Sequence, residues 1–139
     1  MKDGPSREIA ELLELCRERE RAQTRYYRAL AAEAELQDRE ADAERLNALH
    51  ADEQHHLSRL TARLLELGGK PNELATGALE PPSLDTWQAD ARRREAGEVS
   101  WYEELVERPV DAETRRLFDE ILVSERRHRE ELGGKWMPA

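Results

Sequence analysis

Two short stretches of this chain pair a carboxylate with an imidazole at the same spacing: Glu53-Gln54-His55-His56 and Glu125-Arg126-Arg127-His128 both read Glu-x-x-His. On an α-helix, residues i and i+3 share a face, so each stretch presents Glu and His side by side. A lone glutamate precedes each pair, Glu20 by 33 residues and Glu95 by 30. Oxygen and nitrogen donors of this kind suit a hard or borderline divalent metal such as iron or manganese. A lone Glu from each of two helices, with Glu-x-x-His from each of two others, can surround a pair of such ions in a helical bundle.

The elements that must position these residues follow from periodicity. Ile9, Leu13, Cys16, Glu20, Gln23, Tyr27, Leu30 and Ala34 recur at three and four residues and form one helical stripe, with Ser6 as the expected N-cap. After a turn at Gln37-Asp38, with Asp38 expected to cap the next helix, Leu46, Leu49, Glu53, His56, Leu60, Leu64 and Leu67 form a second stripe that Gly68-Gly69 ends. A third helix, starting near Ser83 or Asp85, carries Trp87, Ala91, Glu95, Glu98, Tyr102 and Leu105. Pro109-Val110-Asp111 breaks it, Asp111 caps a fourth helix with Thr114, Phe118, Ile121, Glu125, His128 and Leu132, and Gly133-Gly134 ends that one. The candidate ligands thus occupy the apolar faces, where an unpaired carboxylate is costly unless it protonates, pairs or binds metal.

Register supports the grouping. In an antiparallel hairpin, residues at equal height are equidistant from the turn. The midpoint between Glu20 and Glu53 falls beside Gln37, and that between Glu95 and Glu125 falls on Val110. Each glutamate then lies about 22–25 Å from its turn, so all four reach the middle of a bundle about 45 Å long. The Gly- and Pro-rich segment 68–82 is the one long connection. Its fifteen residues reach about 50 Å, enough to run the bundle's length and leave helices 2 and 3 parallel. The two hairpins also match internally. Glu20 with Tyr26-Tyr27 aligns with Glu95 and Trp101-Tyr102 at an offset of 75, and the Glu-x-x-His pairs align at 72, as in a duplicated unit.

The chain has 139 residues, enough for one domain over residues 1–139. Charged residues make up 38 % of it and the net charge is −9, which argues against nucleic acid as a partner. No apolar run approaches the roughly 18 residues of a membrane span, and no signal-peptide pattern opens the chain. Cys16, the single cysteine, permits no intrachain disulfide and reads as a small core residue. A cytoplasmic protein is expected. His50 and His55 read as surface or boundary residues, Arg92-Arg93-Arg94 as a solvated face, and Trp87, Trp101 and Trp136 as core or interface aromatics.

With these residues in view, the chain resembles the ferritin-like superfamily over about residues 6–134, and rubrerythrin-type proteins most closely. Glu20 followed by Tyr27 is similar to their first helix, and Glu95-Ala96-Gly97-Glu98 to their third. The run from Leu117 to Leu122 into Glu125-Arg126-Arg127-His128 is similar to the last site helix of bacterioferritins. The resemblance implies an all-α ferritin-like four-helix bundle with one long crossover between helices 2 and 3. It implies two irons, with manganese as the alternative, bound by Glu20, Glu53, His56, Glu95, Glu125 and His128, and by Glu98 in one redox state. Glu53 and Glu125 would bridge, while the pairing of the terminal ligands stays open. Tyr27 and Tyr102 would donate to ligand carboxylates, and Asp52 would orient a metal-bound imidazole, a role its counterpart Ser124 cannot fill.

The implied chemistry is oxidation of Fe(II) by dioxygen or peroxide. No Cys-x-x-Cys pair of a rubredoxin domain is present, so electrons would come from an external donor. Gln54 stands where bacterioferritins carry a haem-binding methionine, so no haem is expected. An iron-storage module in a larger assembly, a di-iron hydroxylase and a metal-free interaction bundle are the alternatives. A homodimer with Tyr26 in its interface is expected, against the alternative that Tyr26 only widens its own helix's stripe.

Overall fold

The structure, a computed structural model, describes residues 5–80 and 83–135. Four helices carry the fold: α1 (Pro5–Leu36), α2 (Glu40–Glu66), α3 (Trp87–Leu105) and α4 (Ala112–Glu130). A 3₁₀ turn, Leu84–Thr86, leads into α3, and a π-helical turn, Glu131–Lys135, follows α4. Among the described residues there is no strand, and no helix is long and apolar enough to cross a membrane.

The four stripes read from periodicity face inward, and of their members only Leu67 is not fully buried. The apolar ones separate into two layers. Ile9, Leu13, Leu60, Leu64, Phe118 and Ile121 fill one end of the bundle, and Leu30, Ala34, Leu46, Leu49, Trp87 and Leu132 fill the other. Each fully buried Leu, Ile or Phe contributes about 1.5–3 kcal/mol. The fold therefore rests on the two ends and leaves the middle for polar residues.

Contacts along the helices fix the topology. The Trp87 indole donates to Asp42 at 3.1 Å, tying the start of α3 to the start of α2. Arg63, near the end of α2, donates to Asp111 at 2.6 Å and to Thr114 at 3.0 Å, at the start of α4. So α2 and α3 are parallel, and the crossover spans the bundle's length. It runs along α1: the Asn72 amide donates to Glu14 at 2.7 Å, and Arg25 donates to the Gly77 carbonyl at 3.3 Å.

The helix ends account for the connections. Asp111 accepts from the Thr114 amide at 3.1 Å, the N-cap expected for α4. At the end of α2, Gly68 adopts φ +82°, with Gly68 N–H to Leu65 O and Gly69 N–H to Leu64 O both at 2.9 Å, a Schellman closure. The same closure ends α1, with Asp38 in glycine's place at φ +56°, Asp38 N–H to Glu35 O at 3.2 Å and Arg39 N–H to Ala34 O at 2.9 Å. Asp38 therefore terminates α1 and does not cap α2, whose N-cap is Arg39 without a side-chain bond. Asp enters the left-handed region at lower cost than most residues, which is why a hairpin this tight tolerates it. Ser83 caps the 3₁₀ turn ahead of α3, accepting from the Asp85 amide at 3.1 Å. Helix α1 begins at Pro5, so Ser6 lies inside its first turn; the Ser6 side chain and Trp136 lie outside the described residues.

Candidate metal centre

Between the two apolar layers lies a polar one. Glu20 comes from α1, Glu53 and His56 from α2, Glu95 from α3, and Glu125 and His128 from α4. The four carboxylates are fully buried, and the imidazoles are 5 % and 1 % exposed. Glu20, Glu53, His56 and Glu125 each offer one ligand atom within 4.8 Å of the others, and so do Glu53, Glu95, Glu125 and His128. The two groups share Glu53 and Glu125. His56 Nδ1 lies 2.9 Å from Glu53 and 3.4 Å from Glu20; His128 Nδ1 lies 3.2 Å from Glu125 and 3.4 Å from Glu95.

These inward atoms are not hydrogen-bonded to saturation. Glu20 Oε1, Glu53 Oε1, His56 Nδ1, Glu95 Oε1 and Glu125 Oε2 are all buried without a hydrogen-bond partner. His56 Nδ1 and Glu53 Oε1 are close, but their orientation is wrong for a hydrogen bond. Five converging orphaned donor atoms of carboxylate and imidazole type fit divalent metal ions, because leaving such groups buried and unmet is expensive.

The electrostatics carry the same strain. Burial, together with the neighbouring carboxylates, pushes Glu53 and Glu125 well above the ordinary carboxylate range. Burial also opposes ionisation of Glu95, but the adjacent His128 imidazole and the Tyr27 hydroxyl outweigh it and hold Glu95 low. Burial disfavours the His128 cation, yet the bond to Asp52 and the attraction of Glu95 and Glu53 raise it to about 10. The metal-free cluster thus holds protons where cations would otherwise sit.

Around the cluster the two hairpins reach across to each other. The Tyr27 hydroxyl on α1 donates to Glu95 Oε2 on α3 at 2.5 Å, and the Tyr102 hydroxyl on α3 donates to Glu20 Oε2 on α1 at 2.8 Å. Each tyrosine belongs to one apolar layer, so each end of the core supplies one donor. Asp52 meets His128 Nε2 at 2.7 Å. The expected placements of Tyr27, Tyr102 and Asp52 all bring them against the cluster.

Glu98 differs from its six companions. It is buried and belongs to neither group; instead Arg19 grips it with a fork, Nε to Oε1 at 3.2 Å and Nη2 to Oε2 at 2.8 Å. Burial raises its pKa to about 7 against the lowering pull of Arg19.

Arg19, Gln23 and Arg94 also bear on the centre, which helical spacing alone does not indicate. Gln23, placed on the α1 stripe, donates to Glu95 at 3.2 Å and to Glu53 at 3.5 Å, while Arg94 Nε donates to Gln23 Oε1 at 2.8 Å. Arg94 is therefore no solvated-face residue, unlike exposed Arg92 and Arg93. The repeat held the signal. At the offset of 75, Arg19 matches Arg94 and Gln23 matches Glu98. Arg19 grips Glu98 and stacks 4.7 Å from the Trp101 ring; Arg94 grips Gln23 and stacks 4.0 Å from the Tyr26 ring.

Tyr26 is 8 % exposed and lies edge-on to Tyr27 at 5.3 Å. It widens the stripe of α1 and has little surface left for a partner, which corrects its expected place in a dimer interface. His50 is half-buried and His55 exposed, both apart from the cluster. Cys16 is buried, and burial pushes its thiol up to about 12, in keeping with a core residue.

Comparison with known proteins agrees with this fold. Two bacterioferritins share the fold. One, from Desulfovibrio desulfuricans and solved with its diiron site in different catalytic states, gives a TM-score of 0.84 at 21 % identity, covering 93 % of this chain and 78 % of its own. The other, from Mycobacterium tuberculosis, gives 0.74 at 20 %, covering 98 % and 87 %. No curated protein sequence matches. The family model for rubrerythrin matches residues 11–134, from the first helix through both Glu-x-x-His pairs, and the chain belongs to the rubrerythrin family.

Proposed function

We propose that the chain is a di-iron carboxylate protein that oxidises Fe(II) and reduces dioxygen or peroxide, with electrons from an external donor. The observation that carries this is the sharing of Glu53 and Glu125 between two four-residue groups. In this reading Glu53 and Glu125 would serve both ions, Glu20 and His56 would hold one, and Glu95 and His128 would hold the other. Two irons would supply reversible one-electron steps to an oxidant. The chain's own contribution is to exclude water with the apolar layers above and below, and to fix the carboxylates through Tyr27, Tyr102 and Gln23. Asp52, accepting from His128 Nε2, leaves Nδ1 as the coordinating atom. Manganese is the alternative metal, and Gln54 supplies no axial sulfur for a haem.

Anaerobic iron titration tests the proposal, followed by optical spectra on adding peroxide or oxygen. About two irons per chain and a spectral change with either oxidant are expected; no binding under aerobic or anaerobic loading would leave a metal-free bundle.

A storage module in a larger assembly is the second reading, favoured by the likeness to bacterioferritins. Particle mass and an iron count far above two per chain separate it. We also propose a cytoplasmic homodimer. Its interface would lie on the outer face of α1, where exposed Leu36 and Leu79 border a hollow of about 400 Å³. Light scattering giving the mass of one 16.1 kDa chain would refute the dimer.

A further inference from the structure

Where the two copies of the repeat meet, between α1 and α3, the surface opens into a hollow of about 320 Å³. Arg19, Arg93 and Arg94 line it together with Gln23, Gly97 and Glu98. We propose that this hollow is a binding site for a small oxyanion of the phosphate class, seated one side chain away from the metal cluster.

Charge and donors argue for it. Three guanidinium groups converge on one hollow in a chain of net charge −9. Glu98 offsets one of them and Asp90, paired with Arg93 at the rim, a second. The third, Arg94, is held by the neutral amide of Gln23. Arg94 engages Gln23 through Nε, Arg19 engages Glu98 through Nε and Nη2, and Arg93 engages Asp90 through Nη2. Each guanidinium has five N–H donors, so several per residue remain for an incoming ligand. Planar forks of this kind recognise oxyanions by paired N–H···O bonds and bind no cation.

Space argues for it too. Gly97 sits in the interior of α3, where glycine costs about 1 kcal/mol relative to alanine. A Cβ built there would meet nothing within 4 Å. The helix surface is thus left bare on the side where the hollow lies.

The site is coupled to the cluster through Gln23, which joins Arg94 above to Glu95 and Glu53 below. An anion on Arg94 and Arg19 competes with Gln23 and Glu98 for the same guanidinium groups. Anion binding itself does not depend on the proposed di-iron chemistry; only its influence on the centre rests on that reading.

Inorganic phosphate titrated calorimetrically into the metal-free chain at low ionic strength tests this. One saturable site is expected, weakened about tenfold or more by Arg93→Ser and by Gly97→Glu. Both variants should keep the circular dichroism and the iron stoichiometry of the parent. No saturable binding up to about 10 mM phosphate, an equal response to chloride at matched ionic strength, or unchanged affinity in both variants would overturn the proposal. If phosphate binds as expected but iron does not, the di-iron reading fails and the oxyanion site stands.

Discussion

Asp52 on α2 and His128 on α4 meet across the bundle at 2.7 Å, carboxylate oxygen to ring Nε2. The repeat would place Ser124 opposite His56 in the same way, but a serine hydroxyl carries no charge to hold an imidazole. The two halves of the centre are therefore supported unequally. Asp52→Asn should lower affinity for the metal on the His128 side by about 10–100-fold and leave the other nearly unchanged. Iron titration of the variant should become two-phased; a uniform loss at both positions would contradict this.

Bridging has a sharper signature. Glu53→Ala or Glu125→Ala removes a group common to both clusters, so either should abolish binding of both ions. His56→Ala removes a donor from one cluster only and should weaken mainly one. Metal analysis showing the same single-ion loss in all three variants would rule out the shared roles.

In the metal-free fold, burial and neighbouring carboxylates raise Glu53 and Glu125, so the folded chain retains protons that the unfolded chain releases. Their effect on stability is best below the unfolded carboxylate value of about 4.5 and worsens as pH rises above it. His128, raised to about 10, adds stability that is complete below about 6.5 and lost as pH rises toward 10. Both slopes have the same sign. The melting temperature of the metal-free chain should fall between about pH 5.5 and 8.5. Iron should raise it by mass action, by about 2.7 kcal/mol of stability at a hundredfold excess over Kd, and flatten the fall. A metal-free chain that gains stability across this range would show that the cluster is not protonated as described.

Periodicity made the helices and the cluster readable because the ligands sit on the same stripes as the leucines. A carboxylate at a core position and a hydrophobe obey one spacing, and the midpoints at residues 36–37 and 110 set their heights. What the stripes do not carry is the direction of a long polar side chain. Arg94 and Arg93 are neighbours of the same type, yet one stacks on Tyr26 and the other faces solvent. Glu98 shares the stripe of Glu95, and only the reach of Arg19 from another helix turns it aside. Asp suits both an N-cap and the left-handed turn that Asp38 occupies, so its residue type does not separate the two. Asp38→Gly should therefore stabilise the chain by about 1 kcal/mol, measured by urea unfolding. A loss of stability would mean that the Asp38 side chain contributes more than its strained backbone costs.

The two tyrosines give the last prediction, because their partners are unequal. Glu95 Oε2 accepts from Tyr27 and also from Gln23 at 3.2 Å, so Tyr27→Phe leaves it one donor. The hydrogen bond to Glu20 Oε2 comes from Tyr102, and Glu20 Oε1 has none, so Tyr102→Phe leaves a fully buried carboxylate without a donor. Hydrogen bonds to charged groups contribute about 1.5–3 kcal/mol, and an unmet buried acceptor adds its desolvation cost. In the metal-free chain Tyr102→Phe should destabilise by at least that range, and Tyr27→Phe by less. Urea unfolding of both variants with equal m-values decides it. Metal should narrow the gap, because coordination satisfies the Glu20 oxygens that the tyrosine no longer reaches. Equal losses in the metal-free state, or a larger one for Tyr27→Phe, would refute the unequal roles of Gln23 and its counterpart Glu98.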